Sequence, residues 1–162
     1  MILVGFGSNL NSHKGAPKNT IKSAMSELNN KCVKIIKISN YYETEPVPFS
    51  DQPNYINAVA LVKTSFNPYE LLSIFHDIEN DYGRLRHEVN GSRTLDIDLL
   101  SYDEIVISEP NLIIPHPRLH QRSFVLKPLL DITMTWVHPV LNLNAYDILS
   151  NLQTHYKVKL LD

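Results

Sequence analysis

Between Tyr55 and Lys63 the chain reads Tyr-Ile-Asn-Ala-Val-Ala-Leu-Val-Lys. In a strand this places Ile56, Ala58, Ala60 and Val62 on one face and Val59 and Leu61 on the other, because successive side chains point to opposite sides. A strand apolar on both faces belongs in the middle of a sheet that is covered on both faces. Tyr55 and Asn57 share a face at its entrance. Asn57 is the residue out of place, since burying an amide without partners costs stability. An amide set against a flat heterocycle, with rings above and below, is one arrangement that accounts for it, and Tyr42, Phe49, Tyr55 and Phe124 supply candidate rings. Taken singly, each ring is equally at home in core packing.

The rest of the chain builds around that strand. Ile2 to Phe6 is a short apolar run ending at Gly7-Ser8-Asn9, and after Pro17 the residues Ile21, Ala24, Met25 and Leu28 recur at helical spacing. Val33 to Tyr42 is apolar and β-branched. Glu43 to Asn54 carries Pro46, Pro48 and Pro53 and reads as a long loop. Asn67-Pro68 resembles an N-cap with proline in the first turn, Leu71, Phe75, Ile78 and Tyr82 keep helical spacing, and Gly83 ends the helix. Thr94 to Tyr102 is the next strand. The order β-α-β-β-α-β predicts an α+β, ferredoxin-like antiparallel sheet with two helices on one face. Beyond it lies a C-terminal extension, interrupted by Pro110, Pro115, Pro117, Pro128 and Pro139 and helical near 121–130 and 145–152. At 162 residues, with no repeat or linker, residues 1–162 are expected to form one domain.

Cys32 is the single cysteine, so no intramolecular disulfide and no cysteine-based zinc site is possible. The N-terminus lacks a basic leader, and no apolar run approaches the roughly 20 residues that span a bilayer. The expectation is a soluble, cytoplasmic protein with no membrane partner. Asn90-Gly91-Ser92 then reads as a turn and not as a glycosylation site. A net charge of −2 argues against nucleic acid as a partner, since that binding rests on a basic face.

Charge is nevertheless unevenly placed. All five arginines, Arg84, Arg86, Arg93, Arg118 and Arg122, fall between 84 and 122, and all ten lysines lie outside that stretch. Guanidinium forks grip phosphate oxygens in pairs, as an ammonium cannot. The same stretch contains Asp96-Ile97-Asp98, whose two carboxylates share one face of their strand while Leu95, Ile97 and Leu99 take the other. Like charges so close are costly if buried without a cation, so that face is either solvated or holds a metal. Arginines beside paired carboxylates are what a metal-bound polyphosphate requires. Scattered surface ion pairs would produce the same composition.

Other patterns are weaker. His116 and His120 have a metal-ligand spacing in a helix, but Pro115 and Pro117 forbid one there, and His116 is better cast as a phosphate donor beside Arg122. Gly5-Phe6-Gly7 lacks the third glycine of a dinucleotide loop, and there is no phosphate-binding P-loop.

Five collinear segments carry a resemblance: Gly7-Ser8-Asn9-Leu10, Tyr42 to Val47 continuing through Asp51 to Ala58, Gly83-Arg84-Leu85-Arg86, Gly91 to Asp98, and Ile114 to Leu119. Together they resemble 6-hydroxymethyl-7,8-dihydropterin pyrophosphokinase, a folate-pathway family, along nearly the whole chain. The resemblance implies an ATP-dependent transfer of pyrophosphate to the hydroxymethyl group of 6-hydroxymethyl-7,8-dihydropterin, releasing AMP, by a monomer using two Mg²⁺ ions. It implies that Asp96 and Asp98 bind the metal, and that Arg84 and Arg93 join them in catalysis. Thr44, Pro46, Val47, Tyr55, Asn57 and Phe124 would form the pterin pocket. Glu79, Arg84, Arg86, Arg93, His116 and Arg122 would serve ATP. The loops 8–16, 43–54 and 83–93 match loops that close over substrates in the family. Val89, Asn90 and Ser92 stand where the family usually has basic, aromatic and proline residues, which implies a differently built closure; Pro48 replaces a frequent glycine, which implies a stiffer second loop. The rivals are a ferredoxin-like RNA or regulatory module, which needs an open aromatic sheet face, and another metal-dependent phosphotransferase or phosphohydrolase.

Overall fold

A computed structural model describes residues 1–83, 92–153 and 157–161. Strand β4 (Tyr55–Lys63) lies at the centre of the sheet, antiparallel to β1 (Ile2–Ser8) on one side and to β2 (Lys34–Ile38) and β3 (Tyr42–Thr44) in succession on the other. β5 (Asp96–Tyr102) flanks β1 at one end of the sheet, and β8 (Val158–Leu160) flanks β3 at the other. A separate hairpin joins β6 (Ile107–Glu109) to β7 (Leu112–Ile114). This is the expected antiparallel α+β unit.

One face of the sheet packs on α1 (Pro17–Asn30) and α2 (Pro68–Asp81), where Ile21, Ala24, Leu28, Leu71, Phe75 and Ile78 are buried against Val4, Phe6, Ala58, Ala60 and Ile97. The start of α2 follows the sequence closely. Asn67 Oδ1 accepts the N–H groups of Tyr69 and Glu70, and Glu70 Oε2 accepts that of Asn67 at 2.8 Å, a reciprocal cap that satisfies otherwise orphaned donors. Gly83, at φ +76°, ends the turn in the left-handed conformation that favours glycine.

The opposite face is covered by the C-terminal extension. α3 (Ser123–Ile132) buries Val125, Leu126, Leu129 and Ile132 against Leu3, Val59 and Leu100, joined by Trp136 and by Ala145 and Ile148 of α4 (Ala145–Ser150). The sheet is thus enclosed on both sides, as β4 demands. Among the described residues, no open sheet platform of the kind a single-stranded RNA reader uses is left on this central region.

The sequence reading needs correction in several places. Val33 to Tyr42 is not one strand: β2 stops at Ile38, where the Ser39 hydroxyl accepts the Val59 N–H at 2.9 Å and stands in for a ladder carbonyl. Pairing resumes at Tyr42, so Glu43 and Thr44 belong to β3 and not to a loop. The last strand begins at Asp96 and not at Thr94. Pro128 does not separate two pieces but lies inside α3. An interior proline costs about 3 kcal/mol, whereas burying four aliphatic side chains at roughly 1.5–3 kcal/mol each favours the helix by more.

Candidate active site

The site forms where β1, β4 and β5 end beneath α3. On β1, Leu3, Gly5 and Gly7 face the α3 side, and the register sets Gly7 opposite both Asn57 of β4 and Asp96 of β5. Side chains on the flanking strands, with only glycine at positions 5 and 7 of the middle one, leave a trough at that end of the sheet. It becomes a cavity of about 200 Å³ lined by Gly5, Gly7, Thr44, Pro46, Val47, Tyr55, Asn57, Arg93, Asp96, Asp98, Arg118, Arg122 and Phe124 among others. Neither β1 glycine has a positive φ, so what they contribute is space. A Cβ on Gly7 would sit 3.5 Å from Asn57 Oδ1 and 3.8 Å from Asp96 Cβ, and one on Gly5 would meet Leu100 at 3.3 Å.

All six residues expected to form a pterin pocket therefore line one cavity. Asn57 is buried, and its Nδ2 donates to Thr44 Oγ1 at 2.8 Å, which holds the amide plane and leaves Oδ1 on the Gly7 side. Two of the candidate rings are elsewhere. The Tyr42 hydroxyl donates to Asp131 of α3 at 2.9 Å, outside the cavity lining, and Phe49 is 79% exposed. Alternation placed Tyr55 on this face; Phe49 lies in a loop where no such rule holds, and Tyr42, two residues before the cavity-lining Thr44, turns instead to Asp131.

The charged wall is on the other side of the trough. Arg93 Nη1 lies 2.6 Å from Asp96 Oδ2. Burial alone would lower the pKa of Arg93, and the Asp96 carboxylate beside it more than offsets that. Asp98, 36% exposed at its side chain, has Arg122 Nη1 at 4.0 Å and His116 Nε2 at 3.9 Å from Oδ2. Arg122 is pushed the other way, first by burial and then by the like charge of Arg118. Arg93, Arg118 and Arg122 line the cavity together with the carboxylates Asp96, Asp98 and Glu45, so forks that can grip phosphate oxygens stand beside acids that can hold a cation. Arg118, to which the sequence reading gave no role, belongs to this wall, as do the two glycines to the floor. A register argument from Asn57 through Gly7 to Asp96 would have found the glycines. Arg84 and Arg86 lie outside the described residues, as does most of the loop from 83 to 93.

His116 does not form an ion pair at neutral pH despite its distance from Asp98. Burial first, then Arg122 and Arg118, pull its pKa down to about 4, and its Nδ1 accepts the Arg118 N–H at 3.1 Å. The ring is thus neutral with its proton on Nε2, the nitrogen facing Asp98. The unfolded chain binds this proton more readily than the folded one between about pH 6.5 and 4, so stability from this group is complete above that window and lost as pH falls through it. His116→Gln is expected to flatten the fall in Tm between pH 6.5 and 4.5; an unchanged slope by scanning calorimetry would assign the acid sensitivity elsewhere.

A second cavity, about 300 Å³, adjoins on the outer edge of β5, lined by Leu72, His76, Glu79, Leu99, Ile113 and His116 among others. Asp98 lines both cavities. Glu79 is fully buried, and its Oε1 accepts the Ile97 N–H at 2.8 Å, capping the edge of β5. The His116–His120 pair does not converge: the His120 ring packs edge-on against His138, with centroids 5.6 Å apart. Among the described residues no three His, Cys, Asp or Glu side chains are grouped to hold a metal alone. Two hard carboxylates do fit Mg²⁺, which keeps most of its shell for water and substrate phosphates.

Comparison with known proteins decides the family. Residues 3–134 match the model of 7,8-dihydro-6-hydroxymethylpterin-pyrophosphokinase (HPPK). The chain belongs to this family. It is 39% identical over 130 residues to the 2-amino-4-hydroxy-6-hydroxymethyldihydropteridine pyrophosphokinase of Bacillus subtilis, covering 80% of this chain and 75% of that one. It is 40% identical over 154 residues to a folic acid synthesis protein of Pneumocystis carinii, 95% of this chain but 20% of that protein. A Plasmodium falciparum HPPK-DHPS structure superposes with a TM-score of 0.70 at 17% identity, over 92% of this chain and 42% of that one. The chain thus spans 20% and 42% of those two longer proteins, and it shares the fold of the second over most of its own length. Its ferredoxin-like architecture and its place among the pyrophosphokinases, a group of transferase enzymes, follow from these matches.

Proposed function

We propose that this HPPK-family chain is one domain that transfers the β,γ-pyrophosphoryl group of ATP to the hydroxymethyl oxygen of 6-hydroxymethyl-7,8-dihydropterin in folate biosynthesis, with two Mg²⁺ ions, as a monomer in the cytoplasm. The observation that carries this reading is the glycine-floored trough with an anchored amide on one wall and guanidiniums with paired carboxylates on the other. A cavity of about 200 Å³ suits one small flat ring system. Asn57 Oδ1 would accept hydrogen bonds from the edge of that ring, with Thr44 fixing the amide and Tyr55 and Phe124 contributing aromatic surface. Pro46 and Val47 would close the pocket from the second loop.

The second cavity, lined by Glu79 and His116, would take the nucleoside end of ATP, and the triphosphate would run past Asp98, which lines both cavities. Asp96 and Asp98 would hold the magnesium ions, which when bound neutralise phosphate charge and polarise the phosphorus under attack. Arg93, Arg118 and Arg122, with Arg84 and Arg86 from outside the described residues, would bind phosphate oxygens and fix their angle. In the transfer a bond forms between the hydroxymethyl oxygen and the β-phosphorus, the bond from that phosphorus to the α,β-bridging oxygen breaks, and AMP departs; the hydroxyl proton passes to solvent. Positioning supplies most of the acceleration, because aligning two bound reactants removes the entropy of bringing them together. Asp98 serves as a ligand in preference to a base, since coordination lowers its affinity for a proton.

The test is product identity. Incubation with ATP, Mg²⁺ and the hydroxymethyl pterin is expected to yield AMP and a pterin diphosphate by anion-exchange chromatography; ADP, or free phosphate without AMP, would replace the reading by another phosphotransfer. Asn57→Ala should raise the pterin KM about tenfold to a hundredfold, with the ATP KM within about twofold. Equal changes in both would remove Asn57 from ring recognition.

A further inference from the structure

We infer that Asn9 is a positioning residue for this reaction, coupling the backbone of Arg93 to the loop that closes one side of the ring cavity. The inference rests on the function proposed above. Asn9 follows β1 directly and is only 3% exposed. Its Oδ1 accepts the Arg93 N–H at 2.8 Å, and its own N–H donates to the Arg93 carbonyl at 3.1 Å, with the Leu10 N–H on the same carbonyl at 3.3 Å. Both polar groups of the Arg93 main chain are therefore taken by two consecutive residues.

The other end of the same amide reaches the second loop. Asn9 Nδ2 donates to the Pro53 carbonyl at 3.0 Å and to Gln52 Oε1 at 3.4 Å. These partners fix the orientation of the amide, with an N–H facing its oxygen and a carbonyl facing its nitrogen. Gln52 Oε1 also accepts the Tyr55 hydroxyl at 3.3 Å, and Tyr55 lines the cavity. A continuous path then runs from Tyr55 through Gln52 and Asn9 to the Arg93 backbone, and through its guanidinium to Asp96 at 2.6 Å. Neighbouring Ser8 pins the same segment, its hydroxyl donating to the Thr94 carbonyl at 2.6 Å.

The chemistry of the link demands one residue type. It needs an acceptor toward Arg93 and a donor toward Pro53 on a short side chain, which asparagine alone supplies in that arrangement. Aspartate keeps the acceptor and loses the donor, setting a carboxylate against a carbonyl. A ring that seats the second loop thereby also holds the arginine whose guanidinium meets the phosphates.

The experiment compares Asn9→Asp and Gln52→Ala with the unaltered protein. In Asn9→Asp the KM values for pterin and for ATP are expected to rise and kcat to fall, each about tenfold. A role confined to stability would lower Tm and leave all three constants per folded molecule unchanged, and that result would overturn the inference. Gln52→Ala leaves the hold of Asn9 on the Arg93 main chain intact, so faster hydrogen exchange at the Arg93 amide by NMR, at least about threefold, is the expected sign of coupling. Unchanged exchange there would overturn it. The exchange arm needs no turnover, so it decides the coupling even if the unaltered protein releases no AMP, an outcome that would instead reject the function proposed above.

Discussion

Asp98→Ala and Asp96→Ala proteins are expected to fold and to turn over at least about a thousandfold more slowly. A metal at a phosphoryl centre supplies several kcal/mol of charge stabilisation, and every 1.36 kcal/mol is a factor of ten in rate. Asp98 is the more informative position, because it lines both cavities and because its side chain is 36% exposed, so its removal costs the fold little. Asp96 is less exposed and its loss strips Arg93 of its carboxylate partner, so a modest drop in Tm accompanies the kinetic loss there. Asp98→Asn preserves shape and removes charge, and separates ligation from packing. Steady-state AMP release with titrated Mg²⁺ is the measurement. Activity within about tenfold of normal in Asp98→Ala would remove the acidic pair from the chemistry.

Gly7→Val is expected to fold and to lose at least about a hundredfold in kcat/KM, equivalent to about 2.7 kcal/mol. A Cβ at this position meets its nearest neighbours at 3.5 and 3.8 Å, ordinary contact distances, so the backbone tolerates a side chain. The two methyl groups beyond it would occupy the floor of the trough between Asn57 and Asp96, where the proposed function puts the ring. The loss should appear mainly in the pterin KM. Gly7→Ala, a smaller intrusion, should fall between. A Gly7→Val protein with normal pterin KM, shown folded by its circular dichroism and Tm, would mean that the ring binds elsewhere.

Much of the fold was legible because periodicity and capping are local. The dual apolar faces of β4, the Asn67 N-cap with Pro68 in the first turn, and the glycine at 83 are each readable from a few residues, and each appears in the structure as expected. The division between β2 and β3 was not legible, because it depends on the Ser39 hydroxyl taking a ladder bond from Val59, twenty residues away. The helix expected near 121–130 appears as α3, but that Pro128 lies inside it was not legible, because there burial outweighs a proline that local rules treat as a break. Within the site, strand alternation correctly grouped Tyr55 with Asn57 and Asp96 with Asp98, since two residues of spacing return a side chain to the same face. Tyr42 and Phe49 were misjudged because aromatic character says nothing about direction.

The sequence by itself determined that β1, β4 and β5 exist, which of their residues share a face, and that the arginines and the paired carboxylates are concentrated in one stretch. These depend on chemistry and spacing along the chain. Only the tertiary structure decided that β1 runs between β4 and β5, so that Gly7 falls opposite both Asn57 and Asp96, and that α3 roofs the gap they leave. Strand order and register arise from contacts between residues far apart in sequence, and no local pattern encodes the empty space that two glycines make between them.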